Sequence, residues 1–198
     1  LIEVFKITKP KHLLITSSSC VYDDNLSNNV KESFELEGTP EKANISYGWA
    51  KRFLEQKMLL LSQDINCSLY VVRPFNIYGE RYNWVGKYSQ AIPMIIKKIL
   101  DGNDPVNIWG SGKQKRTYVH AHDCARIMLK IMLSNYTSTP VNIGFDDLIS
   151  IEEVTNIICR LSNLSPKIDF DKNMPEGKFI KSSNTLLLKS ILGSSFRQ

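Results

Sequence analysis

The chain has 198 residues, 42% of them hydrophobic, and a formal net charge of +5. That size and apolar content suit one globular domain with a real core, or part of a larger one. No run is long and apolar enough to span a membrane, and no signal-like start is present. The lysines are scattered rather than run together, so an anionic small ligand suits the charge at least as well as nucleic acid. Cys20, Cys67, Cys124 and Cys159 show neither paired nor metal-like spacing. The plain reading is a reducing, intracellular (cytoplasmic) setting with no metal centre.

In chain order, residues 1–8 read as the tail of a helix, and His12 to Thr16 as a strand. That strand runs into Ser17-Ser18-Ser19-Cys20-Val21-Tyr22, and a loop extends to about residue 45. A helix is expected over about 47–64, with Ala50, Phe53, Leu54, Met58 and Leu61 on one buried stripe. Leu59 and Leu60 widen the stripe, so burial on more than one face is expected. A second strand near 67–73 runs into Arg73-Pro74-Phe75-Asn76-Ile77-Tyr78-Gly79 and a polar loop. The next helix, about 90–101, tolerates Pro93 in its first turn. A short strand, Asn107 to Trp109, leads through Gly110-Ser111-Gly112 to the segment Arg116 to His120. A helix over about 122–134 places Cys124, Ala125, Met128, Leu129 and Met132 in the core. Val141 to Gly144 reads as strand and turn, and Ser150-x-x-Glu153 as a capping box before a stripe of Val154, Ile157, Ile158 and Leu161. Residues 191–193 read as the approach to a closing helix. Strands alternating with helices predict an α/β fold with a parallel sheet.

Ser46-Tyr47-Gly48-Trp49-Ala50-Lys51 opens the long helix and sets Tyr47 and Lys51 four residues apart on one face. An ammonium beside a phenol can make it a base near neutral pH. Taken alone, Tyr-x-x-x-Lys is a common solvated pair, and three serines after a strand are a polar loop. His120 and His122 stand two apart; one reads as structural, the other as part of the helix entrance.

The order Ser18, Tyr47-x-x-x-Lys51, then Arg73-Pro74-x-Asn76-x-Tyr78-Gly79 resembles extended short-chain dehydrogenase/reductases acting on nucleotide sugars. These belong to the NAD-dependent epimerase/dehydratase family, and the likeness covers nearly the whole chain. It implies a Rossmann-like parallel sheet with a smaller C-terminal α/β substrate-binding region: residues 1–80 cofactor-side, 81–198 mainly substrate-side with segments returning to the sheet. It implies NAD, with NADP possible, beside Tyr47, Lys51, Pro74 and Asn76, and a homodimer formed partly by the long helix. A helix simply buried under the sheet is the alternative. Members carry Gly-x-x-Gly-x-x-Gly near the start, and this sequence has none. With no initiating methionine either, the expectation is the C-terminal two-thirds of such a protein, its N-terminal part of the Rossmann fold missing.

By the same resemblance Ser18, Cys20, Tyr47 and Lys51 are catalytic: Ser18 holds the sugar oxygen, Tyr47 removes its proton, and Lys51 assists Tyr47 and grips the ribose. Dehydratases of the group have an acidic pair at the positions of Ser19 and Cys20, so water elimination is disfavoured. Cys20 instead resembles the thiol that exchanges protons beside a transient 4-ketone in GDP-mannose 3,5-epimerase and GDP-fucose synthase. Read without the family, a buried structural cysteine is an equal alternative. Trp109-Gly110-x-Gly112-Lys113-Gln114-x-Arg116, Pro140 to Gly144, Pro175-Glu176-Gly177 and Ser183 to Leu186 resemble later segments of the mannose epimerase. Substrate contacts are therefore expected from Ser19, Asn76, Lys87, Gln90, Trp109, Lys113 and Arg116, with Asn76 and Arg116 on the diphosphate. A guanidinium fork suits that role. Gln90 departs from the pattern, since it falls where these enzymes have a second acid/base and glutamine exchanges no proton at neutral pH. Either nearby Lys87 substitutes, or the protein does not invert two centres.

The expected activity is a nucleotide-sugar epimerase, or epimerase/reductase, on a GDP-sugar through a 4-keto intermediate. Alternatives are a 4-ketosugar reductase or C4 epimerase, which need Ser18, Tyr47 and Lys51 but not Cys20, and a catalytically silent relative that binds a nucleotide sugar or a partner. With no glycine-rich loop to place a pyrophosphate on a helix N-terminus, the 198-residue chain should bind NAD and NADH very weakly. Fluorescence titration checks this, and micromolar binding would contradict it.

Overall fold

A computed structural model describes residues 2–34, 36–82, 84, 90–137 and 140–193. In order the elements are α1 (Ile2–Thr8), β1 (His12–Thr16), α2 (Ile45–Asp64), β2 (Ser68–Pro74), β3 (Ile77–Tyr78), α3 (Ala91–Leu100), β4 (Val106–Trp109), β5 (Lys115–Arg116), β6 (Val119–His120), α4 (Ala121–Leu133), β7 (Val141–Ile143), β8 (Ile149–Ser150), α5 (Ile151–Ser162), β9 (Ile168–Asp171), β10 (Ile180–Lys181) and α6 (Leu186–Leu192).

The central sheet runs β1-β2-β7, all parallel, with His12 opposite Ser68 and Val72 opposite Val141. β2 lies in the middle and is covered on both faces, as a parallel strand needs. Its side chains alternate between two cores. Leu69 joins Phe5, Ile15, Met58 and Leu61 from the α1 and α2 side. Tyr70 and Val72 join Cys124, Ile127, Ile131 and Leu188 from the α4 and α6 side. The result is the expected α/β/α layering of a Rossmann-like fold. A separate core forms where α3 and α5 cover the parallel pair β4 and β9, through Ile95, Ile99, Val106, Ile108, Val154 and Ile158. The small mixed sheet β10-β5-β8 lies beside it in sequence and carries Lys181 opposite Arg116.

The two main strands, the capping box at Ser150 and Glu153, and Pro93 inside the first turn of α3 match the sequence reading. Three buried stripes are corrected. On α2 the buried face is Gly48, Arg52, Glu55, Met58, Leu61 and Ser62. Ala50, Leu59 and Leu60 are exposed and Phe53 is 70% exposed, so the helix is buried on one face only. The reason is that two of its inward positions are charged. The Arg73 guanidinium donates to both carboxylate oxygens of Glu55, at 2.9 and 2.6 Å, and both residues are buried. Arg52 donates to the carbonyls of Val21 and Gly38. An apolar-stripe search passes over such a face. On α4, Ala125 and Leu129 are exposed, and Ile127 and Ile131 take the core positions with Cys124. On α5, Leu161 is 75% exposed and Ile157 lies at the edge, while Ile151 and Thr155 are buried. Both helices carry enough apolar residues to define two adjacent stripes, and packing selects one. Finally, Ile191 and Leu192 end α6, and Gly193 follows with a φ of 75°.

Burial works against the Arg73 charge, but Glu55 and Tyr22 more than offset it and raise its pKa. Removing one member of a buried ion pair leaves the other charge uncompensated. Glu55→Ala should therefore destabilise the chain by roughly 3–5 kcal/mol, read from urea unfolding midpoints. A loss below about 1 kcal/mol, the scale of an exposed pair, would contradict this.

Candidate active site

The site begins where β1 ends. Ser18 caps a single 3-10 turn, Ser19–Val21, its hydroxyl accepting the Cys20 backbone N–H at 3.2 Å. The start of α2 is drawn against this turn at Gly48. A Cβ there would lie 2.6 Å from the Cys20 carbonyl oxygen and 2.5 Å from the Pro40 Cβ. This close approach sets Tyr47 next to the serine turn. Tyr47 is about half exposed (48%). The Lys51 ammonium stands 5.5 Å from the centre of its ring and donates to the Thr16 carbonyl at 2.8 Å.

A cavity of about 1430 Å³ opens here, larger than the roughly 300–1,000 Å³ of a small-ligand pocket. Ser18, Ser19, Cys20, Tyr47, Pro74 and Asn76 line its sheet side. Gln90, Trp109 and Arg116 line the cavity as well. Lys51 reaches the site through Thr16 and Tyr47 rather than the cavity wall, and Lys113 is exposed and not part of that wall. Lys87 lies outside the described residues. Asn76 takes a positive φ of 41° at the end of β2, and its amide donates to the Thr117 carbonyl at 2.8 Å. Its N–H thus ties the segment after β2 to the segment after β5. The Arg116 guanidinium gives one N–H to the Lys115 carbonyl. Burial presses its pKa down, against the pull of Tyr118, Glu41 and Glu176. Among the described residues Glu80, His120 and His122 also come together, with one ligand atom each within 4.8 Å. There His120 accepts the His122 backbone N–H, capping α4, and faces Glu80 at 3.4 Å.

Cys20 is buried. Burial pushes its thiol pKa up, and the Lys181 ammonium, 3.6 Å from Sγ, works the other way. Lys181 in turn donates to Glu41 at 2.6 Å, and both are buried on the cavity wall. Sequence reasoning missed this pair. A lysine in a two-residue strand and a glutamate after a proline carry no local sign of burial.

A model of the NAD dependent epimerase/dehydratase family matches residues 1–144. The chain belongs to that family. Among curated family relatives, it is 27% identical over 180 residues to GDP-L-fucose synthase of Dictyostelium discoideum, covering 88% of this chain and 56% of that protein. It is 28% identical over 195 residues to GDP-mannose 3,5-epimerase 1 of rice (Oryza sativa subsp. indica), covering 98% and 51%. The crystal structure of a GDP-L-fucose synthetase from Naegleria fowleri bound to NADP superimposes with a TM-score of 0.85 at 26% identity, covering 99% of this chain and 64% of that one. The chain therefore spans about half the length of these two curated relatives.

Proposed function

We propose that the chain forms the catalytic portion of an NAD(P)-dependent nucleotide-sugar epimerase, or epimerase/reductase, acting on a GDP-sugar through a 4-keto intermediate. The observation that carries the reading is the thiol of Cys20 on the same cavity wall as Ser18 and Tyr47. It is joined by the likeness to a GDP-L-fucose synthase and a GDP-mannose 3,5-epimerase.

The residues at the mouth of β1 fit a nicotinamide cofactor. The Ser17 hydroxyl is buried on the cavity wall without a hydrogen-bond partner. Lys51 holds an ammonium with three donors beside Tyr47, only one of which Thr16 requires. Tyr47, Lys51, Pro74 and Asn76 are the residues we assign to it, and when bound it supplies hydride transfer at the sugar C4. Ser18 already accepts from Cys20, which leaves its own O–H to donate to the sugar oxygen. Tyr47 takes the proton of the C4 hydroxyl as general base. A ketone at C4 acidifies the adjacent C–H bonds, and Cys20 exchanges the proton there. Asn76 and Arg116 are assigned to the nucleotide diphosphate, Arg116 as the anion-binding fork, and Ser19 and Trp109 to the substrate more broadly.

On this reading residues 1–80 serve the cofactor and 81–198 mainly the substrate. The apolar side chains that α2 leaves outward, Trp49, Phe53 and Leu60, support a homodimer across that helix. No helix among the described residues is long and apolar enough to cross a membrane, and the four free cysteines suit a reducing cytoplasm. Gln90 favours a second reading, a 4-ketosugar reductase or C4 epimerase, because it lines the cavity yet exchanges no proton.

Tyr47→Phe keeps the ring and removes the proton acceptor. In the full-length protein, turnover should fall about 100-fold or more with the circular dichroism spectrum unchanged. Near-normal turnover would show that the site is wrongly assigned.

A further inference from the structure

Cys20, Glu41 and Lys181 come from three distant places: the turn after β1, the loop before α2, and β10. They meet on one cavity wall. All three are buried, with 8% exposure each. A buried ammonium needs an anion, and Glu41 supplies it at 2.6 Å. A pair needed only for folding could lie anywhere in the core. This one faces the ligand cavity, and the Lys181 ammonium also donates to the Cys20 sulfur at 3.6 Å.

We infer that Lys181 and Glu41 are positioning residues for Cys20 with opposite effects on its thiol: Lys181 favours the thiolate, and Glu41 favours the thiol. The inference rests on the reading of Cys20 as the group that exchanges a carbon-bound proton. In that step the C–H bond next to the C4 ketone breaks, its electron pair enters the enolate, and the proton forms the S–H bond at Cys20. Reprotonation of carbon reverses these changes and regenerates the thiolate. Lys181 and Glu41 keep their own protonation states throughout. Without Lys181 the thiolate would be an uncompensated anion in a buried site beside a carboxylate. Without Glu41 the ammonium would act on sulfur alone.

The other groups around the thiol are accounted for. The Ser18 hydroxyl is on the same turn and receives the Cys20 backbone N–H. Lys178, on the segment before β10, spends its ammonium on the Leu26 carbonyl at 2.7 Å and acts on the cluster only from a distance. Arg116, opposite Lys181 in the β5–β10 pair, faces Glu41, Tyr118 and Glu176 instead.

The test is the pH dependence of iodoacetamide alkylation, resolved by mass spectrometry at Cys20. Cys67, Cys124 and Cys159 in the same sample report on general loosening of the fold. Lys181→Met should slow Cys20 alkylation at neutral pH by about tenfold or more and move its midpoint up, because a neighbouring opposite charge is lost. Glu41→Gln should speed it and move the midpoint down, and Lys181→Arg should keep the wild-type behaviour. If Lys181→Met fails to fold, the charge-balanced double variant Glu41→Gln/Lys181→Met replaces it. That variant should alkylate more slowly than Glu41→Gln alone, since the two differ only by the ammonium that donates to the Cys20 sulfur. Shifts of the same sign in the two single variants, no shift, or a double variant as fast as Glu41→Gln would overturn the inference. The measurement needs no sugar, so it fails or succeeds independently of the epimerase reading, which isotope exchange into the substrate tests separately.

Discussion

The buried bidentate contact between Arg73 and Glu55 fixes the geometry on which the site depends. Arg73 lies near the end of β2, and Glu55 on the inward face of α2. Two parallel hydrogen bonds leave little freedom for the helix to slide or rotate on the sheet. Arg52, one turn earlier, pins the same face to the carbonyl of Val21 at 2.6 Å. A further turn back, Gly48 lets the helix touch the carbonyl of Cys20. Three successive inward positions thus lock α2 to β2 and to the serine turn, and Tyr47 and Lys51 follow. Buried ion pairs are not in general stabilising relative to apolar packing. Their value here is directional, since an apolar face would tolerate sliding that displaces the tyrosine.

The electrostatics of the cavity follow a similar logic. Its floor holds a thiol that burial disfavours as an anion, and one ammonium that opposes that penalty, itself balanced by a carboxylate. Arg116, paired with Lys181 across β5 and β10, lines the same cavity and is partly desolvated, and therefore able to bind an anion with less loss of hydration.

Much of this was legible in the sequence because the signals are local. β1 and β2 are short apolar runs, the first leading into Ser17 and the second ending in Arg73-Pro74. Tyr47 and Lys51 sit one helical turn apart, and the capping box at Ser150 involves residues three apart. What escaped notice depends on long-range meetings. β9 and β10 gain their identity only by pairing with β4 and β5. The inward face of α2 reads as polar until Arg73 arrives to neutralise Glu55. Lys181 and Glu41 are 140 positions apart and resemble surface residues until the fold buries them together. Ser18, Cys20 and Arg116, named from the family likeness, line one cavity, but no pattern in that likeness pointed to the groups that surround the thiol. Lys113 matched the likeness and yet stands outside the cavity wall.

The central claim is that this scaffold uses Cys20 to exchange a carbon-bound proton next to a C4 ketone. The most direct measurement is to run the full-length protein on the proposed GDP-sugar substrate in heavy water and locate deuterium in the sugar by NMR. Deuterium should appear at C3 or C5, and Cys20→Ser should abolish it while redox turnover at C4 persists. Turnover without any deuterium entering carbon would contradict the account and leave Cys20 as a packing residue in a reductase or C4 epimerase.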